Sequence, residues 1–579
     1  MKRTALCLLF VLIWPAADTG LAAVPTMPTE DVRPGMKGIG RTVFSGQRIE
    51  QFGVEVIDVM HDVWPHGDMI ICRLSGRNLE TSGVVAGMSG SPVYVDGKLI
   101  GAIAYAWGFA KEPIAGVTPI SQMLEVWDQE RHEQGASGRS RLSAPPVPGT
   151  GFSPLPLPVA VSGLTQRLSE FITPSLQTYN LVPVAAAGKV SSSRTADSLL
   201  APGAAVGVAL TDGDVRLCAI GTLTWRDGDR VLAFGHPMFQ AGKVELPLVA
   251  GVIHAVLPSV ATSFKLFSPT DPVGTITQDR LYAVGGRIGP VASMTPVSVS
   301  LKSPTNRASY RFRVIKQDEL AATLVAMGLA DIVYRTEGTM DEVTLNLRLK
   351  VSLAGPVEQP GFRDSVNIEH ILSGDDPAAD MFKIVRDNLG LIFNNRFQPG
   401  VVSDIDLSLE FTRGREVAYL VSAQPDRRRA RPGEAVRATL RFRDYRGQDW
   451  EKTIRVPVPP TTREGTLNIV IAPRDSFFAL EAMRAPATTA PRSLARLVEL
   501  LSETGRENEL LVAGYARTGG LTVGERELPS APASLRSVLL GTGTDEPVSS
   551  TAASLVLKQP LRLDRAVSGV AKFDLEVME

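Results

Sequence analysis

The chain has 579 residues, and its 60 Lys+Arg against 61 Asp+Glu leave a net charge of −1. That balance excludes a strongly basic nucleic-acid or anionic-membrane binder, whose affinity rests on a visible cationic excess. The length suggests about four domains, and 52 Gly with 41 Pro, alongside few long helical periodicities, point to a mainly β protein with many turns.

Residues 1–23 read as an export signal. Lys2 and Arg3 form a basic start, residues 5–14 an apolar core, and Gly20, Ala22 and Ala23 a small-residue cleavage site. The apolar run is short for a bilayer span, and no later stretch has the roughly 18 uninterrupted apolar residues a membrane helix needs. The mature chain is therefore expected to be exported (periplasm, cell envelope or secreted), with no integral membrane segment. Cys7 falls in the signal. Cys72 and Cys218 sit in apolar strand-like runs without metal-ligand spacing, so buried thiols are the default and a single bridge the alternative. No metal or cofactor is expected.

Residues 24–128 form a first β unit, with strands at 54–57 and 69–72. It continues into Gly87-Met88-Ser89-Gly90-Ser91-Pro92, then a strand at 93–95, the turn Asp96-Gly97 and a second strand at 98–105, which is a hairpin pattern. Residues 129–160, polar and then rich in Pro and Gly, read as a linker. A second β unit spans 161–338, with strands at 206–210, 217–225, 230–234, 249–256 and 298–314, closed by an amphipathic helix at 320–334. Residues 339–480 alternate like a β-sandwich with one inserted helix, capped by Asp375 or Asp376 with Pro377 in its first turn. Residues 481–579 read as a small α+β module whose helix lines Leu494, Leu497, Val498 and Leu501 on one face. The run Arg427-Arg428-Arg429 reads as a solvated loop.

A Ser on a tight Gly-x-Ser-Gly-x-Pro turn can act as a nucleophile, with the N–H groups of Gly87 and Ser89 converging on the oxyanion of a tetrahedral intermediate. The plainer alternative is a Gly/Ser-rich turn joining two strands. A nucleophilic Ser needs a base, and six His are available. His61 and His66 fall in a loop, His132 in the linker and His370 near a surface helix. His236 ends a strand, between Gly235 and Pro237, where it stands as either a general base or a satisfied turn histidine.

Residues 32–127 and 217–289 together resemble the stage IV sporulation protein B (SpoIVB) serine peptidase family. The matching pieces are Gly38-Ile39-Gly40-Arg41-Thr42-Val43-Phe44, residues 49–57, Thr81 through Pro92, Gly221-Thr222-Leu223-Thr224, Ala233-Phe234-Gly235-His236, and more loosely Ser263-Phe264-Lys265 to Asp279-Arg280. The resemblance implies a trypsin-like double β-barrel with Ser89 as nucleophile, His236 as general base and a protein or peptide substrate. Two departures stand out. The Ser block precedes the His block, reversing the family's order, which geometry tolerates. The family's acidic triad member falls where this chain has Leu74-Ser75-Gly76, so the third member is open, with Asp279 and Asp68 as candidates. Met88 excludes an Asp pairing with a newly cut terminus. An exported serine endopeptidase is the leading expectation. The alternatives are a catalytically weak barrel acting as a cell-envelope binding module, and a structural or adhesive envelope protein.

Overall fold

The computed structural model describes residues 24–64, 67–132, 151–186, 200–336, 342–354, 363–398, 401–529, 531–541 and 546–578. The expected signal at 1–23 and the middle of the expected linker, 133–150, lie outside them.

The first unit is built from β1 (Lys37–Val43), β2 (Ile49–Trp64), β3 (Gly67–Ser75), β4 (Pro92–Val95), β5 (Lys98–Trp107) and β6 (Ile114–Pro119). Their order is β4-β1-β2-β3-β6-β5, and β5 pairs back onto β4, so six antiparallel strands close into a barrel without an edge. Asp96 and Gly97 join β4 to β5 with φ of 50° and 76°, the double positive φ that a two-residue hairpin turn requires. Alternate strand residues fill the interior, among them Phe52, Val54, Val56, Ile70, Leu74, Val93, Ile103 and Val117.

The segment read as a linker is partly strand. β7 (Phe152–Pro154) pairs with β5, and β8 (Leu157–Ser162) leads parallel to β9 (Leu181–Ala186). The second barrel follows: β10 (Ala205–Gly213), β11 (Leu217–Asp227), β12 (Arg230–Ala233), β13 (Gly242–Leu257), β14 (Phe264–Arg280) and β15 (Ala283–Ile288). The order β10-β13-β14-β15-β12-β11 closes through β10–β11, again six antiparallel strands. Apolar side chains of both barrels meet under the helix Ile120–His132, where Tyr94, Leu99 and Ala102 pack with Trp225, Leu232 and Ala283.

Beyond the barrels the sheets cross the expected boundaries. β16 (Met294–Lys302) and β17 (Arg307–Ile315) extend the second barrel's sheet. β16 then pairs in parallel with β20 (Val402–Arg413), which joins β18 (Val343–Leu353) and β19 (Ser365–Leu372). Residues 342–413 thus belong with the second barrel rather than with a sandwich. The sandwich draws its two sheets from residues 417–577, around Leu440, Phe442, Ile469, Val512 and Phe573. Alternation marks a strand but not its partner, and a parallel partner lies far off in sequence. The helix Asp318–Thr336 is not amphipathic; residues 320–334 are all buried, because the helices Gln166–Gln177 and Pro377–Phe393 pack against it. Asp376 caps the latter at Ala379 N–H, with Pro377 in its first turn, and the helix Leu494–Glu503 buries the four expected apolar residues. Cys72 and Cys218 are free and buried, and burial pushes the Cys72 thiol up to about 12. Among the described residues, no helix is long and apolar enough to cross a membrane.

Candidate active site at the joint of two barrels

The Ser89 turn is shaped by two glycines and gripped by both barrels. Gly87 and Gly90 have φ of +94° and +91°, where side chains are strained. At Gly90 a Cβ would stand 2.0 Å from Thr222 O and 2.4 Å from Phe234 N, so no side chain fits. Met88, between them, is buried in the first barrel's core. From the same barrel, Gly90 N–H donates to Ile103 O at 2.7 Å and Ile103 N–H returns to Ser91 O at 3.0 Å. From the second barrel, β11 supplies three donors: Thr222 N–H to Ser89 O at 2.8 Å, Thr222 Oγ1 to Gly87 O at 2.9 Å, and Thr224 Oγ1 to Gly90 O at 2.7 Å. The two threonines are two residues apart on one strand, hence on one face.

His236 follows β12 through Phe234 and Gly235, both at positive φ. Gly235 is pressed onto β5: a Cβ there would lie 3.3 Å from Ile103 O and 3.2 Å from Ala104 Cβ. Thr118 Oγ1 fixes this approach by donating to Gly235 O at 2.6 Å. The residue after Ser89 and the residue before His236 therefore converge on one carbonyl, that of Ile103. Ser89 and His236 are 0% and 1% exposed. Ser89 Oγ and His236 Nε2 are both buried without a hydrogen-bond partner among the described residues, and so do not bond each other. The N–H groups of Gly87 and Ser89 likewise donate to no protein acceptor among the described residues.

His236 Nδ1 lies 2.7 Å from Pro237 O. A carbonyl can only accept, so Nδ1 carries the proton and Nε2 the lone pair. Burial pushes the imidazole down to about 4, despite the Pro237 bond that favours its cation, and the ring is neutral near pH 7.

Neither acidic candidate meets the ring. Asp279 spends Oδ1 on Met238 N–H at 2.8 Å and Oδ2 on Phe239 N–H at 2.7 Å and Ala241 N–H at 3.4 Å, locking the loop that follows His236. Its burial pushes it up to about 6, against the pull of those same N–H groups. Asp68 pairs with His61 Nδ1 at 3.1 Å and accepts Asp62 N–H, at the β2–β3 hairpin. Among the other histidines, His254 bonds Ser268 Oγ at 2.8 Å and His370 pairs with Glu507, while His66 lies outside the described residues.

Sequence reasoning missed Thr42, Thr222, Thr224 and Lys265. Lys265 is fully buried, and its Nζ donates to Thr42 Oγ1 at 2.7 Å. The available signal was Thr222-x-Thr224 inside an otherwise apolar strand: two hydroxyls on one face need acceptors, and the Ser89 turn supplies them. A cleft of about 270 Å³ opens beside this turn between Val84, Trp107, Phe109 and Val260, near Ser263, whose carbonyl accepts Ala86 N–H. Among the described residues, no three His, Cys, Asp or Glu side chains cluster as a metal would need.

The architecture is thus a pair of closed antiparallel barrels with a serine and a histidine segment packed together at their joint. Residues 19–124, which include the first barrel and the Ser89 turn, match the family model described as SpoIVB peptidase S55; the match stops short of His236. No curated protein and no solved structure matches the chain.

Proposed function

We propose that the protein is an exported serine endopeptidase of trypsin-like, SpoIVB type, acting on protein substrates through an acyl-enzyme on Ser89. The carrying observation is the convergence of Gly90 and Gly235 on the Ile103 carbonyl, beside a buried hydroxyl and a buried imidazole nitrogen that lack partners. In this reading Ser89 Oγ attacks the scissile carbonyl as His236 Nε2 takes its proton. Gly87 and Ser89 N–H hold the oxyanion, the proton passes to the leaving amine, and water then hydrolyses the ester. Pro237 O takes the place of the triad acid: it fixes the tautomer but offers a dipole where a carboxylate offers a charge. Replacing the acid of a triad enzyme by an amide, which leaves the wrong tautomer, costs about 10⁴-fold; here the tautomer is kept and the charge alone is missing, so an enzyme slowed by less than that is expected. The barrels must also part to admit a peptide, because both groups are shielded from solvent. The exposed Trp107, Phe109 and Val260 beside the cleft would offer apolar side-chain contacts.

The missing carboxylate and the closed site favour a second reading, a barrel retained as a binding module. Incubation of the purified chain with an unfolded protein substrate separates the two. Cleavage should vanish in both Ser89→Ala and His236→Ala; cleavage that survives Ser89→Ala would rule out the peptidase reading.

A further inference from the structure

Lys265 is the second residue of β14, with its side chain out of water, a costly placement for an ammonium that needs recompense. Burial pulls its pKa down to about 7. The hydrogen bonds around it form a directed chain. As an ammonium Nζ can only donate, and it donates to Thr42 Oγ1 at 2.7 Å. Thr222 uses its own proton on Gly87 O at 2.9 Å. The two threonine hydroxyls lie 3.4 Å apart, and with Thr222's proton spent on Gly87 O it is Thr42's that can point across this long contact, beside Ser91 Oγ, which donates to the same Thr222 oxygen at 3.5 Å. Charge on the lysine polarises every link in the same direction. The chain starts in the second barrel, crosses to β1 of the first, returns to β11, and ends on the turn that carries Ser89.

The same residue holds that turn in two other ways. Its backbone N–H donates to Ala86 O at 3.2 Å. The N–H and C=O of a trans peptide point in opposite directions, so this bond turns Gly87 N–H away from β14. Its stem lies under Gly87, where an added Cβ would come within 3.3–3.5 Å of Lys265 Cδ, Cβ and Cγ. Both peptides flanking Gly87 are thereby fixed: one by Lys265's main chain, the other by its side chain through two hydroxyls.

We infer that Lys265, through its own N–H on Ala86 O and through Thr42 and Thr222 on Gly87 O, is a positioning residue that fixes both peptides flanking Gly87 and so holds the Gly87 N–H where it can bind an oxyanion at Ser89. The inference rests on the peptidase reading and assigns a buried lysine–threonine relay to the site.

The test is the rate at which a fluorophosphonate labels Ser89 in the full chain, with Ser89→Ala as blank, together with kcat and KM on a peptide substrate. Thr42→Val removes a link and Lys265→Met removes the charge. Each should slow labelling roughly 10- to 100-fold, a little less than outright loss of an oxyanion donor. Because the oxyanion exists only in the transition state, kcat should fall while KM stays. Thr42→Ser keeps the hydroxyl and should label near the wild-type rate. The double variant Thr42→Val/Lys265→Met should be no slower than either single, since both break one chain. It also removes the buried charge together with its partner, so it tests the relay if a single variant misfolds.

Folded Lys265→Met that labels at the wild-type rate would overturn the inference, as would a Thr42→Ser variant as slow as Thr42→Val. Failure of both Lys265→Met and the double variant to fold would mean that the chain serves the fold alone, and would overturn it too. A wild-type chain that takes no label at Ser89 would defeat the peptidase reading and this inference with it.

Discussion

His236 is held in one tautomer by the carbonyl of the residue that follows it, and kept neutral by burial. Selective ¹⁵N NMR of the histidines should therefore find a neutral ring protonated on Nδ1 from pH 8 down through pH 6, with its titration midpoint near 4. An Nε2–H tautomer, or a midpoint near the ordinary 6.5, would contradict the geometry. The linkage to stability has a definite sign. Above about pH 6.5 the folded and unfolded chains both carry a neutral ring, and nothing is lost. As pH falls from there towards 4 the unfolded chain takes up a proton that the buried ring refuses, so stability drops by at most about 3 kcal/mol. Met88 illustrates a second residue-scale point. Its side chain anchors the Ser89 turn in the first barrel's core, so Met88→Ala should cost about 2–5 kcal/mol in urea unfolding. The sequence could show that the Ser89 and His236 segments are turns of a kind that nucleophilic chemistry demands, and the fold packs those two segments together. A partner for the imidazole could not be read in the same way. Asp279 was named for sharing the His block, but block membership says nothing of where a carboxylate points, and this one points at main-chain N–H groups.

At the scale of elements, the site is a loop and a turn held by a strand. Asp279 collects three N–H groups from the loop after His236, and an amide in its place offers one acceptor oxygen and no charge. Asp279→Asn should lower stability by about 1.5–3 kcal/mol in denaturant unfolding; an unchanged midpoint would show that the loop does not depend on the clamp. Thr222 and Thr224 were readable as strand residues but not as donors to a turn in another barrel, because strand periodicity gives a face and not what the face meets. The helix Asp318–Thr336 failed as an amphipathic prediction for a related reason. Its few polar side chains suggested an exposed side, and only the packing of two further helices shows that side to be covered.

On the scale of the whole molecule, strand content and the two β units were visible in sequence, and the resemblance implied two barrels. The later boundaries at 339 and 480 were not, because β16 finds a parallel partner in β20 across the whole of β17, β18 and β19. A fragment ending at 338 would leave the edge of β16 bare and uncover the helix Asp318–Thr336 where Phe382, Leu389 and Ile392 pack in the same core. A fragment of residues 24–338 should aggregate or melt well below one of residues 24–416, as read by size exclusion and circular dichroism. Equal behaviour of the two would show the sheet extension to be dispensable. The central claim is that Ser89 and His236 form one nucleophilic site across the joint of the barrels. Its most direct measurement is peptide mass spectrometry of the full chain after exposure to a fluorophosphonate. A single phosphonylated peptide containing Ser89 is expected, formed slowly and absent in His236→Ala. No adduct at Ser89 after prolonged exposure of folded protein, or an adduct that forms equally well in His236→Ala, would contradict it.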